Sequence, residues 1–122
     1  MKNVNSTDFA QLVTGFLTDY LPLQRCYSKN TILSYRDTLK LFLRFISEEK
    51  GIRLKSFGTK DFTKETVIEF WEWYRQKGAK SSAANQRLAA IKTFADYTQA
   101  ECIDFISPLQ EITAIKAKKS TA

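Results

Sequence analysis

Histidine is absent from the chain, and proline, glycine and cysteine are scarce, with two, four and two residues among 122. Without imidazole the chain lacks the commonest metal ligand and the side chain that most readily shuttles protons near neutral pH. Cys26 and Cys102 stand far apart and form no short metal-binding spacing. No phosphate-cradling glycine loop or paired acid–base motif is present, so neither a metal- nor a nucleotide-dependent enzyme is indicated, and no cofactor is expected. So few glycines and prolines leave little turn chemistry for a many-stranded β fold. No apolar run approaches the ~20 residues that cross a bilayer. With no secretory signal in view, the expectation is a soluble cytoplasmic protein with reduced, partly buried thiols, a disulfide between the two staying open.

Acidic residues are also missing where it matters. From Trp73 to Ala95 there is no carboxylate, while Arg75, Lys77, Lys80, Arg87 and Lys92 fall in that span. Between Tyr20 and Ser47, Arg25, Lys29, Arg36, Lys40 and Arg44 face a single acid, Asp37. The net charge of +6 is therefore concentrated in two segments, which points to an anionic partner or to ordinary solvated faces. What the chain does have is apolar residues, 43% of the total, and aromatics, 13%. That is enough for one ordered domain with a single core.

Helical periodicity accounts for most of the chain. Phe9, Leu12, Val13, Phe16, Leu17 and Tyr20 share one face over residues 8–20, with Ser6, Thr7 or Asp8 as cap and Pro22 at or just past the end. Ile32, Tyr35, Leu39, Phe42, Leu43 and Ile46 stripe a helix over 29–50, opened by Ser28 or Asn30 and stopped at Gly51. Leu54 and Phe57 in the following loop are expected to tuck inward. A third helix, 63–77, starts at Thr63 and closes at Gly78, burying Val67, Phe70, Trp71 and Tyr74 while Trp73 falls off that face. A fourth, 81–99, opens at Ser81 or Ser82, and a less regular stretch then runs to Pro108, with room for a short helix from Leu109.

Two of these helices carry unusual polar faces. At about 100° per residue, Thr31, Ser34 and Thr38 line up beside the apolar stripe of the second helix. Ser82, Asn85, Gln86, Ala89 and Thr93 line up on the fourth, opposite Leu88 and Ile91. Faces that meet water are usually built from Glu, Lys and Gln, which favour helix more strongly than Ser or Thr. Short hydroxyls and amides flanked by Lys29, Arg36, Lys40, Lys80, Arg87 and Lys92 suit close approach to phosphates and base edges. From the residues alone, a nucleic-acid-binding domain and a helical protein-interaction module anchored on Trp73 or the Phe9 helix both stay open.

The same stretches resemble a known family. SKNTILSYRDTLKLFLRF is similar to the S-x-x-T-hydrophobic-x-x-Y-x-x-x-L-x-x-F signature of the core-binding domain of tyrosine recombinases, the phage integrases that include the Xer proteins. SSAANQRLAAIKTFADY resembles the second signature of that domain, N-x-R-L-x-A-I-x-x-F-x-x-Y, and FTKETVIEFWEWYRQKGAK resembles its acidic third helix. Ser107-Pro108 stands where the family often has Asn-Pro. The resemblance runs over residues 7–118, and its specificity lies in the order of the motifs.

The resemblance implies an all-α, SAM-like bundle of four main helices, with a short fifth at the C-terminal end. Residues 1–115 would form the DNA-binding domain and 116–122 the start of a basic linker to a catalytic domain outside this chain. Helices two and four would face the major groove of a recombination site. Carried over by position, Lys29, Asn30, Thr31, Ser34, Tyr35 and Thr38 on helix two become candidate DNA contacts. Lys80, Ser82, Asn85, Gln86, Arg87 and Thr93 on or beside helix four join them, Arg87 through a phosphate or through a structural ion pair. Helix one would touch neighbouring recombinase protomers on DNA, the isolated chain being monomeric, in a cytoplasm of bacterial, phage or mobile-element origin. The family's Arg–Lys–His–Arg–His/Trp set and nucleophilic tyrosine match nothing here, so no catalytic residue is expected.

Overall fold

Described over residues 8–117, the computed structural model is all-α, with no strand among the described residues. Helix α1 spans Asp8–Gly15 and runs into a π-helical segment, Phe16–Gln24; α2 spans Lys29–Glu48, α3 Lys64–Gln76, α4 Ser81–Glu101 and α5 Ile106–Thr113. Short 3-10 turns occupy Leu54–Ser56, Thr59–Asp61 and Ile103–Phe105. The chain divides into two compact units between Asp61 and Phe62.

In the first unit, α1, its π-helical extension and α2 bury Phe9, Phe16, Leu21, Leu39, Phe42, Phe45 and Ile46, together with Phe57 from the loop. The aromatic rings interlock. Phe9 meets Phe57 edge-on at 4.9 Å, and Phe42 meets Phe57 at 6.0 Å. Each such buried side chain contributes about 1.5–3 kcal/mol by leaving water, so this cluster explains why a short helix and a loop stay docked on α2. Leu54 does not tuck inward; it is 45% exposed, because the 3-10 turn points Phe57 to the interior instead.

Pro22 does not end the first helix. The helix continues through it to Gln24, in the wider π-helical turn. Proline lacks an N–H, and in an α-helical turn its ring would press on the Thr18 carbonyl four residues back. The wider turn relieves that pressure and passes the ladder on one residue further, as in the Arg25 N–H donating to the Tyr20 carbonyl at 2.9 Å. Cys26 then takes a left-handed conformation, φ 55°, which reverses the chain before α2. Ser6 and Thr7, expected as caps, lie outside the described residues.

Helix α2 begins as its composition dictates. Ser28 has extended dihedrals and its Oγ accepts from the Thr31 N–H at 3.2 Å, the N-cap interaction. At the other end Gly51, φ 66°, lets the Ile52 N–H turn back to the Ile46 carbonyl.

The second unit packs α3, α4 and α5 around Phe62, Val67, Phe70, Trp71, Ala84, Leu88, Ile91, Phe94, Leu109 and Ile112. Thr63 caps α3 through the Thr66 N–H, and Glu65 sits in the first turn where the helix dipole favours an acid. The α4 cap departs from expectation: Lys80 occupies it without a side-chain hydrogen bond, and Ser81 and Ser82 are already helical. Helix α5 begins before Pro108, which sits in the first turn where no intrahelical N–H bond is required of it. Trp73 is half-buried, packed against Phe70 with Lys77 over its ring.

Candidate nucleic-acid interface

The first turns of α2 and α4 contain no acid, in contrast to Glu65 in α3. Their positive dipole ends are therefore uncompensated from within the helix, and Lys29 and Lys80 add full charges beside them. These are two separate electropositive helix starts, one in each unit.

On α2, Lys29, Asn30, Thr31 and Ser34 are all exposed. The Ser28 Oγ donates to the Thr31 Oγ at 3.0 Å, so the cap that starts the helix also orients the Thr31 hydroxyl. Tyr35 is half-buried, its ring stacked on Tyr27 at 6.0 Å and meeting Phe16 edge-on at 5.7 Å. Thr38 is a correction. It is 2% exposed, because at helical spacing it falls between Phe42 and Phe45, which are both buried, so the buried stripe of α2 is wider than Tyr35, Leu39 and Phe42 alone define. The hydroxyl shoulder is thus Thr31 and Ser34 only.

On α4, Ser82, Gln86 and Ala89 are exposed in one line, while Ala84, Leu88 and Ile91 are buried on the other side. Ala89 at the centre allows close approach of a surface to the helix backbone. Asn85, Arg87 and Thr93 flank the line and are half-buried. The Thr93 hydroxyl donates to the Ala89 carbonyl at 3.1 Å, which leaves it only an acceptor role. The Arg87 guanidinium lies 5.5 Å from the Tyr74 ring centroid, so its place is on the α3–α4 contact as much as on any outer face. Lys92, expected to flank the stripe, instead donates to the Ile115 carbonyl at 2.6 Å. Lys80 is exposed.

One cation escaped the sequence reading as a site residue. Arg25 is exposed and donates to the Tyr27 hydroxyl at 3.1 Å and to the Tyr20 hydroxyl at 3.4 Å, with its guanidinium 5.3 Å from the Tyr27 ring centroid. Its pKa is raised above the ordinary arginine value, first by the Tyr20 hydrogen bond and then by electrostatic interaction with Tyr27 and Tyr20. Tyr20 and Arg25 are five residues apart, the span of a π-helical hydrogen bond. Reading residues 8–20 with a 3.6-residue period and a stop at Pro22 separates them.

Cys26 is an exposed free thiol, where a partly buried one was expected; Cys102 is free and half-buried. Among the described residues no group of three or more His, Cys, Asp or Glu side chains gathers to hold a metal ion. No helix among them is long and apolar enough to cross a membrane.

Comparison with known proteins gives a consistent result. The family described as "Phage integrase, N-terminal SAM-like domain" matches residues 14–101. A protein of Sinorhizobium fredii named as an integrase/recombinase is 27% identical over 92% of this chain and 34% of its own length. A protein of Caldanaerobacter subterraneus named as a tyrosine recombinase is 28% identical over 90% of the chain and 36% of its own length. Tyrosine recombinase XerC of Staphylococcus carnosus is 24% identical over 81% of the chain and 31% of its own length. The chain therefore spans about a third of the length of these curated relatives, from 31% to 36%. No solved structure matches it.

Proposed function

The chain belongs to the phage integrase N-terminal SAM-like domain family, and from that membership we propose that it is the duplex-binding part of a site-specific tyrosine recombinase. In this reading residues 1–115 act as the binding domain. The α2 face of Lys29, Asn30, Thr31 and Ser34 and the α4 face of Ser82 and Gln86 each enter the major groove of a recombination site. Asn and Gln amides match the donor–acceptor pair on adenine, hydroxyls pair with bases or phosphates, and Lys80 neutralises the backbone. Tyr35, Asn85, Arg87 and Thr93 support these faces from half-buried positions.

The observation that carries the reading is the exposed, uncharged line of Ser82, Gln86 and Ala89 on a helix that opens with Lys80 and without an acid. Without charged side chains and with only a methyl group at Ala89, this line lets a groove come close to the helix, while Lys80 beside it is open to a phosphate.

Binding, and not catalysis, is the role assigned to this chain. Strand cleavage and transfer are assigned to the remaining two-thirds or so of a recombinase of the relatives' length, outside the 31–36% matched here. Helix α1 is assigned to contacts between protomers on DNA, the isolated chain being monomeric, and the protein works in the cytoplasm.

The test is a titration of duplex DNA followed by amide chemical shifts at low and moderate salt. Salt-sensitive shifts clustered at residues 28–36 and 80–93 support the reading. Silence there, with responses confined to Phe9 or Trp73, favours a protein-interaction module instead.

A further inference from the structure

We propose that Arg25, held by Tyr20 and Tyr27, is a clamp for one backbone phosphate of the duplex, a site separate from the α2 and α4 groove faces. The inference rests on the DNA-binding reading and names a contact that reading does not contain.

Three observations support it. The Arg25 guanidinium makes two hydrogen bonds, both to phenol oxygens, and among the described residues no carboxylate pairs with it. Asp19, beside Tyr20 in the chain, is reached by the Thr18 hydroxyl and not by Arg25. The positive charge is therefore fully retained on an exposed group. Second, the group is held in place. The guanidinium lies against Tyr27, Tyr27 stacks within 10° of parallel on Tyr35, and Tyr35 meets the buried Phe16 edge-on. A long cationic side chain normally loses rotamer freedom when it binds; this one has lost much of it already. Third, the guanidinium has five N–H donors in a planar fork, two of which are used here, so the others can take two oxygens of one phosphate together.

An arginine evolved for stability alone would be expected to meet an acid. An arginine oriented by phenols, which position it without cancelling its charge, suits an anion that arrives from outside. Its place three residues before the cap of α2 puts it beside the helix start whose hydroxyls and amide are assigned to the bases. Phosphate contacts of this kind set register on the duplex and carry no sequence information.

The experiment uses the whole chain and a fluorescein-labelled mixed-sequence duplex, with affinity measured from about 50 to 200 mM salt. Arg25→Gln is expected to lower the slope of log K against log salt by about 0.9, the value for one phosphate contact. At the low-salt end it loses on the order of tenfold in affinity, the size of one hydrogen bond to a charged group. Tyr20→Phe with Tyr27→Phe keeps the charge, so the slope stays while affinity falls a few-fold, because the guanidinium must now be ordered on binding. In the wild-type chain the Arg25 Nε–H resonance moves on titration, which needs no variant to fold. Lys80→Ala serves as the reference phosphate variant. If the wild type binds the duplex with Gln86 shifting, while the Arg25 signal stays fixed or Arg25→Gln leaves the slope unchanged, the clamp is wrong and the groove reading stands. If the wild type binds no duplex at any salt, both fall.

Discussion

The Lys92 Nζ donates to the Ile115 carbonyl at 2.6 Å, tying the segment after α5 to the middle of α4. Lys92 is half-buried, so its stem packs along the helix while its charge is given to the backbone. Lys92→Met keeps the stem and removes the hydrogen bond. It is expected to cost about 1.5–3 kcal/mol, the range for a bond to a charged group. A urea titration reads this as a lower midpoint at unchanged m-value. The salt slope of duplex binding should not change. An unaltered midpoint would mean the bond is not made in solution.

The hydroxyls on α2 separate into two kinds. Thr31 is exposed and aimed by Ser28, whereas Thr38 is interior. Thr31→Ala and, on α4, Gln86→Ala are expected to weaken binding to the proper site by about 1–3 kcal/mol, the worth of a good base contact, with melting temperatures near wild type. Thr38→Ala should do the reverse, lowering stability by about 1–2 kcal/mol and leaving affinity alone under folding conditions. Equal affinity losses in Thr31→Ala and Thr38→Ala would place the groove contact elsewhere on α2.

Lys80 tests the sequence-independent term. Its removal in Lys80→Ala is expected to weaken binding to every duplex alike and to reduce the salt slope by about 0.9. An effect seen with one sequence only would assign Lys80 to a base.

The two side-chain caps offer an internal control. Ser28→Ala and Thr63→Ala each remove an N-cap acceptor and should each destabilise the protein by about 1 kcal/mol. Only Ser28 also orients a proposed contact, through its bond to Thr31. Ser28→Ala should therefore weaken duplex binding beyond its stability cost, and Thr63→Ala should not. Matching affinities for the two variants would detach the cap from the interface.

How much of this was legible in the sequence depends on range. Local rules located the helices because their signals are local: Ser28 and Thr63 as caps, Gly51 and Gly78 as left-handed stops, and the period of Leu39, Phe42 and Ile46. The outer line Ser82, Gln86 and Ala89 followed from the same period, since a residue's direction on a straight α-helix is determined by its number alone. The rule failed where the period itself changed. A helix carried past Pro22 by a wider turn brought Tyr20 under Arg25, and no 3.6-residue wheel contains that pair.

By itself, then, the sequence determined an all-α chain, its cap residues, its two acid-free basic segments and the motif order that marks its family. Tertiary structure alone decided which polar residues on those faces are open to a partner. It buried Thr38, committed Lys92 to the Ile115 carbonyl, set Arg87 against Tyr74, and left Arg25 exposed beside stacked phenol rings. The reason is physical: helix direction is a property of one segment, whereas burial and hydrogen-bond partners depend on which other turns and segments arrive, as when Lys92 meets a carbonyl 23 residues further along the chain.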